Sequence, residues 1–143
     1  MTAGVNRNSL TLAAALCAVL PGAAQTPLAS LPSASGDGPA RIEPLAVRSL
    51  LLDVAWAGER IVAVGERGHV LLSDDRGKTW VQSPEVPSRT MLTGVTFANR
   101  DDGWAVGHDE IILRTENGGQ SWIAAHYAPE RQQPLLDVWF ENA

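Results

Sequence analysis

Two pairs of neighbouring aspartates are the side chains best suited by type to acid–base chemistry. Asp74 and Asp75 form one pair, and Asp101 and Asp102 form the other. General acid–base catalysis needs carboxyls that converge on one substrate, but adjacent residues of a strand point to opposite faces. Both pairs also stand among glycine and asparagine, which favour turns. We therefore predict that these carboxylates are turn residues and that the chain has no catalytic set.

Metal or thiolate chemistry has even fewer candidates. The histidines are His69, His108 and His126, and no two have a spacing that places them with a carboxylate on one face, as a metal site requires. The single cysteine, Cys17, lies in a predicted leader, so no thiolate is expected after processing. The sequence thus predicts no metal site and no cofactor.

An eight-residue motif that occurs twice is more informative. Its copies are residues 73–80 (SDDRGKTW) and 115–122 (TENGGQSW). The Asp or Asn at the third position can accept N–H groups of a turn, and the glycine at the fifth can adopt a positive φ. The hydroxyls can tie the strand ends, and the tryptophan offers a large packing surface. The residues predicted to build these turns are Ser73, Asp75, Gly77, Thr79, Trp80, Thr115, Asn117, Gly119, Ser121 and Trp122.

The differences between the two copies favour a structural role. A hydroxyl replaces a hydroxyl at the first and seventh positions, and Asn117 replaces Asp75 as a turn acceptor. A catalytic carboxylate would lose its function on replacement by an amide, whereas a turn acceptor keeps its function.

The elements that position these motifs repeat with the same period. Val64-Gly65 recurs as Val106-Gly107, and the offset between these pairs equals the offset between the two motifs. The segment around Val54 recurs around Val95 and again around Val138, in residues 136–140. A period of about 40 residues with short strands is typical of a β-propeller blade, which is a four-stranded antiparallel sheet. The predicted fold class is therefore all-β.

We predict two complete blades, at residues 48–86 and 91–127, and the start of a third at 135–143. The strands predicted for the first blade are 51–56, 60–64, 69–72 and 79–82. Those of the second blade are 92–97, 103–106, 111–114 and 121–124, and residues 136–140 are predicted as the first strand of the third blade. Two blades and one strand cannot close a ring, so we expect either a truncated chain or self-assembly into a larger ring.

The first 44 residues predict export. Residues 10–20 are apolar but shorter than the roughly 20 residues needed to span a bilayer, and small residues follow them. This layout predicts a signal peptide at residues 1–24, with a short membrane anchor as the alternative. Residues 25–44 are rich in Pro, Ser and Gly and predict a flexible linker before the partial propeller of residues 45–143. The expected location is periplasmic or secreted, without stable membrane insertion after cleavage.

The motifs resemble a known family. Residues 103–107 (GWAVG), 112–119 (ILRTENGG) and 121–122 (SW) are similar to Asp-box repeats, also called bacterial neuraminidase repeats, and most similar to those of the photosystem II stability and assembly factor family. The resemblance implies a propeller of about seven blades that is a non-catalytic exported scaffold and docks protein partners during assembly of a membrane complex. Similar sequences occur in non-photosynthetic bacteria, so the family name alone does not establish photosynthesis.

Two other functions share part of this evidence. Sialidase-class glycoside hydrolases also carry Asp boxes but need an arginine cluster, an acid and a tyrosine nucleophile, and Tyr127 is the single tyrosine here. A carbohydrate-binding surface protein would use exposed tryptophans, of which there are five. The repeat makes Trp80 and Trp122 equivalent and aligns Trp56 and Trp139 with strand-one positions, so we predict that these four pack in the core.

The charge of the chain argues against one class of partner. The formal net charge is −5 and there is no basic run, which argues against a nucleic-acid partner. Loops are where docking residues usually lie. Four arginines lie in predicted loops and are candidates for such docking, although solvated loop charge is the default interpretation: Arg67, Arg89, Arg100 and Arg131.

Overall fold

A computed structural model describes residues 38–140 of the chain. The predicted signal peptide (1–24), the linker up to residue 37 and residues 141–143 lie outside the described residues. The described part folds as two four-stranded antiparallel sheets, each with its strands in chain order. The first sheet comprises β1 (Leu51–Ala57), β2 (Arg60–Gly65), β3 (Val70–Ser73) and β4 (Val81–Gln82). The second comprises β5 (Leu92–Phe97), β6 (Gly103–Gly107), β7 (Ile112–Thr115) and β8 (Ile123–His126).

The predicted all-β class and the two four-stranded blades are confirmed. The fourth strands begin two residues later than predicted, because Thr79, Trp80, Ser121 and Trp122 still belong to the turn before the strand. The residues from 38 to 140 contain no helix that is long and apolar enough to cross a membrane.

The two sheets share their irregularities as well as their strand order. The pairing of β1 with β2 shifts register between Leu51 and Asp53, and that of β5 with β6 shifts between Leu92 and Gly94. A bulge at the same place in both sheets bends the two inner strands alike. The sequence repeat is therefore a repeat of three-dimensional structure.

The main hydrophobic core lies between the two sheets. Its buried side chains come from both blades, and they include Val62, Val64, Val70, Leu72, Val95, Ala105, Leu113 and Trp122. A second, smaller cluster joins Ala63 and Leu71 on the other face of the first sheet to Ala46. Because β2 and β3 have neighbours on both faces, their sequences are apolar throughout rather than alternating.

Residues 136–140, predicted as a strand, form no strand in the structure. They lie beside β5 at a close approach, since a Cβ added to Gly94 would be 3.0 Å from the Cα of Asp137. The ring of Phe140 packs on Trp104 with centroids 4.6 Å apart. β1 and β5 form strands because they pair with β2 and β6. Segment 136–140 has no such pairing strand within the described residues.

The predicted flexible linker is wrong for its last residues. The N–H of Ala40 donates to the carbonyl of Val86 at 2.9 Å. The side chain of Gln82 accepts from the N–H of Glu43 at 2.9 Å and donates to the carbonyl of Arg41 at 2.7 Å. A glutamine on β4 thus satisfies backbone groups of this segment, which the composition of the segment cannot reveal.

Candidate functional site

The turn before β4 is built around the carboxylate of Asp75. One carboxylate oxygen accepts from the N–H of Thr79 at 2.8 Å and from the hydroxyl of Ser73 at 2.9 Å. The other oxygen accepts from the Thr79 hydroxyl at 2.7 Å. The N–H of Gly77, which has a φ of 85°, donates to Ser73 Oγ at 2.7 Å. The side chains predicted for this motif therefore lie together in one hydrogen-bonded turn.

The turn before β8 uses an amide for the same purpose. Asn117 Oδ1 accepts from the N–H of Ser121 at 3.0 Å, and Nδ2 donates to the Ser121 hydroxyl at 2.8 Å. The N–H of Gly119, at a φ of 83°, donates to Thr115 Oγ1 at 3.0 Å. The Thr79 hydroxyl donates to Asp75 in the first turn, whereas the Ser121 hydroxyl accepts from Asn117 in the second. The direction of this hydrogen bond is thus reversed, while the shape of the turn is kept.

The chemistry of Asp75 is that of a turn acceptor. Hydrogen bonds from the side chain and backbone of Thr79 lower the pKa of Asp75 to about 2. A carboxyl with this pKa is ionised near neutral pH, so it cannot donate a proton to a substrate. The Asp74 carboxylate is held in a salt bridge. Arg60 Nε donates to it at 2.6 Å, and this hydrogen bond lowers the pKa of Asp74.

The pair Asp101 and Asp102 also lies in a turn, as predicted. Both backbone N–H groups donate to Asn99 Oδ1 at 2.8 Å. Among residues 38–140 there is no group of three or more His, Cys, Asp or Glu side chains that could hold a metal ion.

The tryptophans divide into covered and open positions. Trp122 is 4 % exposed and Trp80 is partly buried, and each donates its indole N–H to the carbonyl of its turn glycine. The prediction that Trp56 and Trp139 pack in the core is wrong, because they are 58 % and 71 % exposed. No sheet covers that side of β1 within the described residues. When Val54 is aligned with Val138, the counterpart of Trp56 is Phe140 and not Trp139.

Two of the four predicted loop arginines come together at one end of the first blade. Arg67 in the β2–β3 turn and Arg89 in the β4–β5 connection line a cleft of about 320 Å³. Arg41, Glu43 and His69 complete its lining. Three guanidinium groups and one carboxylate give this cleft an excess of positive charge.

The cleft is held in shape by backbone and buried contacts. Arg89 Nε donates to the carbonyl of Pro39 at 2.9 Å. His69 is 1 % exposed, its Nδ1 lies 3.1 Å from Ser49 Oγ, and burial lowers its pKa, which favours the neutral ring. The sequence analysis missed Arg41 and His69 as site residues, since Arg41 falls in the predicted linker and a lone histidine carries no signal.

The other two predicted arginines lie elsewhere. Arg100 lines a groove of about 480 Å³ where turns of both blades meet. Arg131 pairs with Glu110 at 3.2 Å, and His126 lies 3.3 Å from the same carboxylate. Asp109 takes the place in the second blade that Arg67 has in the first. The positive cleft is therefore a property of the first blade alone.

Two stacked four-stranded sheets, each closed by the same hydrogen-bonded eight-residue turn, define blades of an Asp-box β-propeller. The chain belongs to the family described as photosynthesis system II assembly factor YCF48, whose model matches residues 23–114.

Three known proteins show how far the similarity extends. The chain is 30 % identical over 69 residues to the chloroplastic photosystem II stability/assembly factor HCF136 of Cyanidioschyzon merolae. This match covers 47 % of this chain and 16 % of that protein. It is 28 % identical over 92 residues to the uncharacterized protein YkuO of Bacillus subtilis, covering 63 % of this chain and 30 % of that protein. A solved structure described as YCF48 bound to D1 peptide is 30 % identical, with a TM-score of 0.49, and covers 56 % of this chain and 27 % of that one. The chain thus spans less than a third of each of these proteins.

Proposed function

We propose that this chain is a non-catalytic scaffold, exported to the periplasm or secreted, that docks a protein partner during assembly of a membrane complex. Membership of the assembly-factor family over residues 23–114 supports the proposal. Asp75 accepts from Thr79 and Asp74 accepts from Arg60, so both carboxylates have structural partners. This arrangement supports a non-catalytic role.

The observation that carries the docking role is the arginine-lined cleft of the first blade. Arg41, Arg67 and Arg89 approach it from three separate segments, and Arg41 and Arg67 are exposed. Guanidinium groups form bidentate, charge-assisted hydrogen bonds with carboxylates, which gives both affinity and orientation. The cleft therefore suits a protein segment that carries carboxylates.

Crosslinking in cells tests the docking role. The tagged chain is expressed with its leader in its own host, crosslinked mildly, and recovered from the membrane and periplasmic fractions for mass spectrometry. We expect subunits of one membrane complex with the wild-type chain, and their loss with Arg67→Glu combined with Arg89→Glu. Arg100→Glu combined with Arg131→Glu is the matched control, because it makes two charge reversals on exposed side chains outside the cleft. Equal recovery with the double variant of the cleft, or recovery of no membrane-complex subunit, would contradict the proposal.

Export is tested separately by fractionation and N-terminal sequencing. We expect the chain in the periplasm or medium with Gln25 as its first residue. A chain that keeps residues 1–24 and stays with the membrane would support the membrane-anchor interpretation.

The non-catalytic role is tested by an assay of the purified chain on a fluorogenic sialoside. Release of 4-methylumbelliferone would contradict that role.

A further inference from the structure

Asn117 and Gly118 form the one Asn–Gly step of the sequence, and they lie in the middle of the second turn. An asparagine followed by glycine is especially prone to deamidation, because glycine has no side chain to keep its backbone nitrogen away from the neighbouring amide. The first turn has Asp75 and Arg76 at the same two positions. Only the second of the two turns therefore combines a side-chain amide with a glycine that follows it.

The packing of the second turn explains why these two residue types meet. Gly118 has a φ of 64°, and a Cβ added there would lie 3.0 Å from the backbone oxygen of Arg100. A side chain at this position would be strained and would press on the connection between β5 and β6. Asn117 supplies the acceptor for the N–H of Ser121 at 3.0 Å. The contacts that build the turn thus bring a chemically labile pair together.

The closed turn keeps the two reacting groups engaged elsewhere. Deamidation needs the Gly118 nitrogen to attack the side-chain carbon Cγ of Asn117. In the folded chain that nitrogen donates its N–H to the carbonyl of Asp101 at 2.9 Å. Asn117 Oδ1 accepts from the N–H of Ser121 and from the Thr115 hydroxyl, both at 3.0 Å, and Nδ2 donates to the Ser121 hydroxyl at 2.8 Å. The reaction therefore requires the turn to open.

A contact between the blades holds the glycine in place. Arg60 of β2 donates through Nη1 to the carbonyl of Gly118 at 3.2 Å. Its Nε and Nη2 donate to Asp74 at 2.6 Å and 2.9 Å, which fixes the guanidinium. Gly118 is buried where turns of both blades meet, whereas Asn117 is exposed to water. Release of the Arg60 contact therefore frees the glycine to move toward an amide that water already reaches.

We propose that Asn117 is a deamidation site that the packed blades keep inactive and that their separation activates. When the turn opens, the Gly118 nitrogen loses its proton and bonds to Asn117 Cγ. The Cγ–Nδ2 bond breaks, and ammonia leaves with that proton to give a cyclic imide. Water then opens the imide at either carbonyl, giving aspartate or isoaspartate. The change is covalent, so it records a separation of the blades even after they pack again.

The two products have different effects on the turn. Aspartate at position 117 gives the second turn the same acceptor that Asp75 supplies in the first, so the turn closes again. Isoaspartate carries the backbone through the side-chain carbon and lengthens the path between Thr115 and Ser121. The N–H and hydroxyl donors then no longer converge on one acceptor. One reaction therefore yields a chain whose second blade repacks and a chain whose second turn stays open.

The test follows deamidation of the full chain in mildly alkaline buffer by peptide mapping with mass spectrometry and by isoaspartyl methyltransferase labelling. The folded chain is compared with the same chain in guanidinium chloride. We expect the peptide that contains Asn117 to convert at least about tenfold more slowly in the folded chain, a factor that corresponds to an opening free energy of about 1.4 kcal/mol. Equal rates in the two states, or no conversion in guanidinium chloride, would overturn the proposal.

Variants of the first blade test whether the contact between blades controls the reaction. Arg60→Met removes the bond to Gly118 and keeps a long side chain, so we expect severalfold faster deamidation in the folded state and an unchanged rate in guanidinium chloride. Ser83→Ala removes the bond to the backbone carbonyl of Gln120 and should act in the same direction. Arg48→Met is the matched control, because Arg48 is exposed and lies outside the groove between the blades.

Circular dichroism checks that each variant is folded before its rate is compared. Wild-type rates in both Arg60→Met and Ser83→Ala would overturn the control by the blade contact. An equal acceleration in Arg48→Met would overturn it as well, because that change leaves the contact intact.

Discussion

The two blades are copies of one design, but within residues 38–140 only the second has another sheet packed on the face that carries Val95 and Trp122. Trp122 is 4 % exposed while Trp80, its counterpart, is only partly buried, and Val95 is 4 % exposed while Val54 is 58 % exposed. The strand order, the bulge of the inner strand and the turn are the same in both blades. The local sequence therefore determines the sheet, whereas burial depends on what is stacked against it.

Specific hydrogen bonds join the second turn to the first blade. The N–H of Trp122 donates to the carbonyl of Glu85 at 2.8 Å. The hydroxyl of Ser83 donates to the backbone carbonyl of Gln120 at 2.9 Å. Arg60 donates to the carbonyl of Gly118 at 3.2 Å. The turn before β8 is thus part of the contact between blades, and damage to it should cost more than the same damage to the turn before β4.

The largest difference is expected for the two tryptophans. Trp122→Ala removes a buried indole from the core between the sheets and should lower the free energy of unfolding by about 3–5 kcal/mol. Trp80→Ala removes a partly exposed indole and should cost about half of that. Urea unfolding of both variants measures the ratio, and equal losses would show that the two blades are covered alike.

The turn glycines should show a smaller difference of the same sign. A β-branched residue at positive φ costs roughly 1–3 kcal/mol in either turn. At Gly119 an added Cβ would also lie 3.2 Å from the Leu72 side chain, while at Gly77 the nearest atom is 3.7 Å away. We expect Gly119→Val to be the more damaging, as measured by resistance to limited proteolysis, and unchanged resistance in both variants would contradict the turn assignment.

Acid should loosen the first turn and leave the second unaffected, since the second holds an amide. Asp75 has a pKa of about 2 in the folded chain against an ordinary 3.8. Its stabilising effect is therefore complete above pH 4 and is lost as the pH falls from about 4 to 2. Melting temperatures of the wild type and Asp75→Asn, measured across that window, should converge at the acid end. A constant difference between them would contradict the low pKa.

The smallest effect is expected for Asn117→Asp, which makes the second turn like the first. A carboxylate would accept from the N–H and hydroxyl of Ser121 and from the Thr115 hydroxyl, and charge-assisted bonds are the stronger ones. We expect a gain of about 0.5 kcal/mol in the free energy of unfolding, partly offset by the neighbouring Glu116. Urea unfolding measures it, and a clear loss would show that the two turns differ more than their geometry indicates.

The repeat made most of the fold predictable. Because each strand and turn occurs twice, the two copies support the same assignment. The predicted bounds of the strands around Asp75 and Asn117 agree with the structure to within one or two residues. The predictions for Trp56, Trp139 and segment 136–140 were wrong, because exposure and strand pairing depend on neighbours that a local pattern does not contain. Arg67 and Arg89 were candidates for docking, with solvated charge as the default, because their convergence with Arg41 depends on hydrogen bonds of Gln82 to a segment that composition describes as a linker.

Hydrogen exchange of the tryptophan indole N–H groups tests the difference between the blades most directly. Trp80 and Trp122 donate the same hydrogen bond, at 3.1 Å and 3.0 Å, so only their covering differs. We predict that in two-dimensional NMR spectra the Trp122 indole proton exchanges much more slowly than that of Trp80. Equal exchange rates for the two would contradict the account, because they would show that the second blade does not pack on the first.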